Sequence, residues 1–296
     1  MSANPALSRR RALGTAAGTA ASAALHWRTA TAHSGATTAS DITLAIQDVS
    51  LVDGTPAPPR PHSTVLLSGD RIAAILDRPT PLPEGTPIID GTGLTLLPGL
   101  IDTHIHWEEW MAPLFLRFGV TAVRDVGNLV ATLLDARQRE RRGTLRAPRI
   151  LTHGIPIDGA PSFLGASARV PVDVANARVV AQHLLENGLD GLKTYASLPP
   201  EMVRAVVEVA EAYGVPVASH LGATSAREAM DAGVRSIEHV RGVLTRETEE
   251  TAAELARRMT DAGIFISATL TIQEHNLNYL AVRSPEYPAL ELVPRA

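Results

Sequence analysis

The sequence predicts an α/β protein: a (β/α)8-type TIM barrel that stops short of its last strand, with a partial β-sandwich ahead of it. Three observations point there. After Pro98-Gly99 the apolar pattern switches repeatedly between strand and helix spacing. Several helical stretches close on a glycine that leads into the next strand. The stretch before Pro98 holds only short β-rich runs broken by turn residues.

The elements follow in chain order. Residues 1–32 read as a targeting segment and leave the fold argument. Ser8-Arg9-Arg10-Arg11-Ala12-Leu13 carries paired arginines, an Ala/Gly/Thr run continues to Leu25, and Ala30-Thr31-Ala32 suits a signal peptidase. The order of charge, apolar run and small residues is that of an export signal, similar to the twin-arginine type. The expectation is a periplasmic or extracellular product, and the run is too short for a stable membrane anchor.

Residues 41–97 form the sandwich segment. Ile42–Ile46 alternates apolar with polar, Val49–Val52 continues the pattern, and Gly69-Asp70 between Thr64–Leu67 and Arg71–Leu76 signals a hairpin. Residues 98–296 form the barrel segment. Strands are predicted at Leu100–His104, Thr121–Val126, Arg149–Ile155, Gly191–Tyr195, Val215–His220, Ser236–Val240 and Ile264–Leu270. Helices are predicted at Leu129–Arg142, Val172–Asn187, Pro200–Tyr213, Ala226–Ala232 and Arg246–Ala262. Seven strand units in a row favour a barrel over an open doubly wound sheet. No phosphate-cradling glycine fingerprint follows the first of them.

Composition narrows the chemistry. The chain has 296 residues, 45% of them apolar, and a net charge of -4, so it lacks the basic footprint of a nucleic-acid binder. It has no cysteine, which excludes thiolate catalysis and thiolate metal ligands. Ten histidines leave nitrogen and oxygen donors as the means of holding a metal.

His104-Ile105-His106 closes the first strand, and the period of two turns both imidazoles the same way, with Asp102 on that face to orient one of them. A lone His-x-His pair is only moderately specific. Lys193, His220 and His239, however, end the fourth, fifth and sixth strands, at the end of a barrel where active sites form. Each alone reads as an ordinary polar strand end; the joint order does not. His153 ends the third strand and Tyr195 follows Lys193, and both are candidates for substrate contact. His275 is a weaker one. His62 and His183 read as loop and helix-surface residues, His26 and His33 flank the cleavage site, and Glu238 reads as structural because alternation turns it away from His239.

This pattern resembles the amidohydrolase superfamily. Gly119-Val120-Thr121-Ala122-Val123-Arg124-Asp125-Val126-Gly127 and Ala232-Gly233-Val234-Arg235-Ser236-Ile237-Glu238-His239 are similar to its imidazolonepropionase-like and prolidase-like branch. The resemblance implies two divalent metal ions, zinc foremost. His104 and His106 would hold the more buried ion and His220 and His239 the second, with a Lys193 carbamate bridging them. It also implies hydrolysis of a carbon–nitrogen bond, in a small-molecule, peptide or cyclic amide, through a metal-bridged hydroxide.

One part of the pattern is missing. The family's eighth strand ends in a catalytic aspartate, and no such residue follows Ala268-Thr269-Leu270. Asp261 precedes the seventh strand, and Glu274, Glu286 and Glu291 fall in irregular sequence. The stretch from Leu100 onward is also shorter than the roughly 250 residues such barrels take. The expectation is a C-terminally truncated reading of a longer enzyme, or a barrel whose open edges pair with a second copy in a homo-oligomer. The competing functions are a catalytically impaired metal- or ligand-binding barrel, and a lactone or phosphotriester hydrolase.

Overall fold

The computed structural model describes residues 42–77, 82, 84–240, 243 and 249–272. The export segment at 1–32, with His26 and His33, lies outside the described residues, as do Glu274, His275, Glu286 and Glu291. The chain divides into two compact units at Leu97/Pro98. No helix among the described residues is long and apolar enough to cross a membrane.

The first unit is one mixed sheet built from β1 (Leu44–Leu51), β2 (Arg60–Ser68), β3 (Arg71–Leu76), β4 (Ile88–Asp90) and β5 (Thr95–Leu96). Its order is β3-β2-β1-β4, with β5 also on β1; β1–β2 and β2–β3 run antiparallel, while β4 and β5 lie parallel to β1. The Gly69-Asp70 hairpin joins β2 to β3, and Gly69 takes the positive φ such a turn needs. Val49, Leu51 and Val65 form a small core. His62 lies in β2 rather than in a loop. The register of β1 on β2 shifts around Val49, Asp48 and His62 both take positive φ, and the exposed imidazole meets Asp48 Oδ1 at 2.7 Å.

The second unit carries two all-parallel sheets. One contains β6 (Leu100–Ile105), β7 (Val120–Asp125) and β8 (Arg149–Thr152) in that order. The other contains β9 (Leu192–Thr194), β10 (Val217–His220), β11 (Ser236–Glu238) and β12 (Phe265–Ser267), each paired with its successor. The helices are α1 (Ala112–Arg117), α2 (Val130–Arg141), α3 (Val174–Glu186), α4 (Pro200–Ala212), α5 (Ala226–Ala232) and α6 (Glu249–Ala262). Of these, α1 carried no sequence expectation. It is short, starts with a proline in its first turn, and buries only Ala112.

The described strands do not close into one ring. Between β8 and β9 the chain leaves the ladder at Gly154, which takes φ 65, and makes a long excursion before α3. Among the described residues, isolated bridges from Ile157 to Arg169 and to Thr194 of β9 cross the interval. The expected third strand therefore ends at Thr152 instead of Ile155. At the other extreme, Thr103 of β6 and Ser267 of β12 share a hydroxyl–hydroxyl bond of 2.9 Å.

Burial follows from the parallel pairing. Strands β9 and β11 are buried along their whole length, as parallel strands covered on both faces are. Ala177, Ala181 and Leu184 of α3 and Val203, Val206 and Ala210 of α4 pack with Leu192, Val217 and Ile237 in one large core. A second core joins Ile105, Val123 and Ile150 to Leu133 and Ala136 of α2. Helix α5 begins in a full Ser225/Glu228 capping box and ends at Gly233, whose φ of 94 satisfies its last carbonyls at no steric cost. Leu100, Ile101 and Phe265, on the outer strands β6 and β12, remain exposed.

Truncating Ile237, fully buried at the centre of β11, should cost about 2–5 kcal/mol. Phe265→Ser on the exposed strand β12 should change stability by less than about 0.5 kcal/mol. Urea unfolding of the two variants checks the contrast.

Candidate active site

Four of the five expected ligand residues converge on one cavity of about 320 Å³. His104, His106, Lys193 and His239 line it, with Val126, Gly127, Pro156, Leu164, Ser167 and Tyr195. The ring centroids of His104 and His106 lie 5.7 Å apart, and those of His104 and His239 4.6 Å apart. His220 lines an adjoining cavity of about 630 Å³, its ring 4.8 Å from His239 and 4.4 Å from Tyr195. Tyr195 lines both spaces.

Local structure explains these placements. His104 lies within β6, and His106 sits one residue past its end. The His106 Nδ1–H donates to the Gly127 carbonyl at 3.0 Å. A side chain at Gly127 would meet that imidazole at 2.9 Å, so a glycine is what lets the two approach. The turn itself is pinned by Asp125, fully buried at the end of β7, which accepts from the Trp107 N–H at 2.6 Å and the Gly127 N–H at 3.0 Å. Burial raises the Asp125 pKa, and these backbone donors oppose the rise.

His239 lies one residue beyond β11 with φ 67. This left-handed residue breaks the alternation that the sequence reading relied on. Glu238 and His239 consequently both reach the site, and Glu238 takes a different place from the one alternation assigned to it. Its carboxylate is fully buried and is hydrogen-bonded to His104 Nδ1. It also accepts from Arg124 at 2.6 Å and from the Ser236 hydroxyl at 2.6 Å. Arg124 of β7 completes the clamp by donating to the Thr103 carbonyl at 2.6 Å and the Ser267 hydroxyl at 3.2 Å.

Asp102 does not orient an imidazole, as its position on the strand had suggested. Its carboxylate accepts the backbone N–H of His104 at 3.1 Å, and Glu238 orients the ring instead. Glu238, Arg124 and Asp125 are the site residues that sequence reasoning missed. The signal available for two of them was a charged pair, Arg124-Asp125, closing a mostly apolar strand.

Charge in the site is tightly balanced. Burial pushes the Glu238 carboxyl up, but the His104 hydrogen bond and the positive charges of Lys193 and Arg124 outweigh it and hold it at about 2. Burial lowers His104, with Glu238 opposing. The pair is therefore a neutral imidazole donating to a carboxylate whose charge Arg124 compensates. Lys193, only 2% exposed, is lowered to about 7 by burial, with Glu238 opposing and Arg124 adding to the fall. His239 is lowered to about 3, mainly by burial, with its neighbours His104, His220 and Lys193 disfavouring a further positive charge there.

Among the described residues, no group of three or more His, Cys, Asp or Glu side chains is drawn together as a metal site. The donor chemistry nonetheless fits a divalent ion. A Nδ1–H bound to Glu238 or to the Gly127 carbonyl leaves Nε2 as the lone pair of His104 and His106. His239 has its Nδ1 on the Thr269 hydroxyl at 2.6 Å. Lys193 adds an amine that burial holds close to neutrality.

His153 is placed elsewhere. It is 2% exposed, lines neither cavity, and donates from Nδ1 to the Leu192 carbonyl at 3.0 Å. The missing side chain of Gly191 gives its ring room. That hydrogen bond ties the residue after β8 to β9.

Several solved structures similar to this chain carry enzyme names. A prolidase complexed with N-methylphosphonate-L-proline matches with a TM-score of 0.66 at 24% identity, over 84% of this chain and 72% of its own. A Xaa-Pro dipeptidase with bound methionine gives 0.69 at 23%, over 84% and 71%. A putative prolidase from Bifidobacterium longum gives 0.61 at 26%, over 73% and 58%. No protein-family profile and no curated protein matches the chain.

The buried neutral imidazoles make stability depend on pH. His153 is lowered from 6.5 to about 3, with burial as the main cause, so the unfolded chain binds its proton first. This stability is fully present above pH 6.5 and is lost as pH falls toward 3, at up to about 1.4 kcal/mol per pH unit. Urea titrations across that window should show a shallower decline for His153→Leu than for the wild type.

Proposed function

We propose that this chain, a relative of the prolidase-like amidohydrolases, is a metal-dependent hydrolase of amide bonds, with dipeptides and cyclic amides within its range. The observation that carries the reading is the convergence of His104, His106, Lys193 and His239 on one cavity, with the His220 ring 4.8 Å from His239. Structures of the same fold named phenylurea hydrolase B and molinate hydrolase support the general class of bond cleaved.

On this reading the two parallel sheets are arcs of one (β/α) barrel, and the Ile157 bridges and the Thr103–Ser267 bond support that view. The paired arginines and small-residue site within Ser8–Ala32 support export.

His104 and His106 would hold one divalent ion and His220 and His239 a second, with Lys193 between. An all nitrogen-and-oxygen donor set suits zinc. When bound, such ions polarise the scissile carbonyl and lower the pKa of water toward neutrality. Lys193 becomes an anionic donor by reaction with carbon dioxide: its neutral Nζ forms a bond to the carbon, one C=O π bond becomes a carboxylate, and one Nζ proton leaves to solvent. Its pKa of about 7 makes that neutral amine abundant. Glu238 and Arg124 hold the His104 proton on Nδ1 and keep Nε2 open. The Tyr195 hydroxyl, kept protonated by burial and by Asp158, stands where both cavities meet as a donor to substrate.

Two results check this. Lys193→Ala and His220→Ala should each abolish amide turnover by the metal-loaded chain, assayed beside lactone and phosphotriester substrates; undiminished turnover contradicts the assignment. Glu238→Gln should weaken divalent-metal affinity by about 10–100-fold, read by chelator competition. An unchanged isotherm would remove Glu238 from the site.

A further inference from the structure

Of the residues lining the 630 Å³ cavity, His220 is the one candidate metal ligand; the rest are free to meet another part of a substrate. The cavity's size falls within the range of small-molecule sites. Phe163, Ala160, Leu221 and Ala223 give it apolar walls, and Tyr195 and His220 join it to the ligand pocket. Phe163 is 78% exposed, an aromatic ring left unburied by the protein itself.

Its backbone is fixed, however. Asp158, fully buried, accepts from the Phe163 N–H at 3.0 Å, the Ser162 hydroxyl at 2.7 Å, the Gly159 N–H at 2.9 Å and the Ser197 N–H at 2.8 Å. The Ser197 hydroxyl donates to the Pro161 carbonyl at 2.8 Å, so the loop is tied to the segment after β9 from both sides. Successive residues of this loop serve the two spaces: Phe163 lines the outer cavity and Leu164 the inner one. The two spaces adjoin: Tyr195 lines both, and the His220 ring of the outer one lies 4.8 Å from that of His239 in the inner one.

We propose that the outer cavity is the subsite for an apolar side chain of the substrate, with Phe163 as its specificity-determining wall. This rests on the amide-hydrolase reading and adds the substrate class: amides carrying an aliphatic or aromatic group next to the scissile bond. The ring becomes buried only when such a group is bound, so it contributes to affinity and selectivity and little to folding.

The test uses the metal-loaded full chain with N-acetyl-L-leucinamide and N-acetylglycinamide as probes, with binding measured by titration calorimetry. The leucine probe should bind roughly tenfold or more tightly. Phe163→Ala should remove most of that preference, leave glycine-probe affinity and the melting temperature unchanged, and Phe163→Leu should restore it. Equal affinity for the two probes, no binding of either, or a preference undiminished in Phe163→Ala overturns the subsite. Turnover on the same samples tests the enzyme reading separately: a preference without hydrolysis contradicts that reading and leaves the subsite standing.

Discussion

The site depends on one buried carboxylate. Glu238 lies fully inside the protein between His104 and Arg124, where an unpaired charge costs several kcal/mol. Arg124 and the Ser236 hydroxyl satisfy one of its oxygens, which leaves the other for the His104 Nδ1–H. Because Arg124 also ties to the Thr103 carbonyl on β6 and the Ser267 hydroxyl on β12, the clamp links the first, second, sixth and seventh strands of the unit. The same charges set the chemistry of Lys193, since the pull of Glu238 on its proton is opposed by Arg124 and by burial.

Around this clamp the strands act as rulers. Each candidate ligand sits in or just past a strand, so its backbone is fixed by parallel pairing before its side chain meets the cavity. The proposed specificity wall sits instead on a longer connection. The excursion after β8 interrupts the ladder and, held by Asp158, presents Phe163 and Leu164 to two adjacent spaces. Strands thus carry the candidate donors, and on the proposed reading an anchored loop shapes the space a substrate would enter.

Most of the second unit was legible in the sequence. Helices α2 to α6 were found within a few residues, because apolar spacing and terminal glycines mark them, and Gly188, Gly214, Gly233 and Gly263 all take positive φ. The candidate ligands were chosen because they end strands, and four of them line one cavity with the His220 ring 4.8 Å from His239. The partners that orient them were not legible. Period-two alternation turned Glu238 away from His239, and only the left-handed backbone at His239, which no local pattern announces, brings both inward. The same alternation put Asp102 beside the imidazoles, whereas its carboxylate is occupied by the backbone N–H of His104. Arg124 acts on residues more than a hundred positions away, a pairing that spacing cannot reveal. The break between β8 and β9 was also hidden, because Ile155 and Ile157 continue an apolar run past the end of the strand.

The central claim is that these five side chains form a site for divalent metal. The most direct measurement is the metal bound per chain after loading with zinc in bicarbonate buffer, by elemental analysis of wild type beside His220→Ala/His239→Ala. The account predicts two ions on the wild type and a clear loss in the double variant. A wild type that binds none, or a double variant that binds as many, contradicts it.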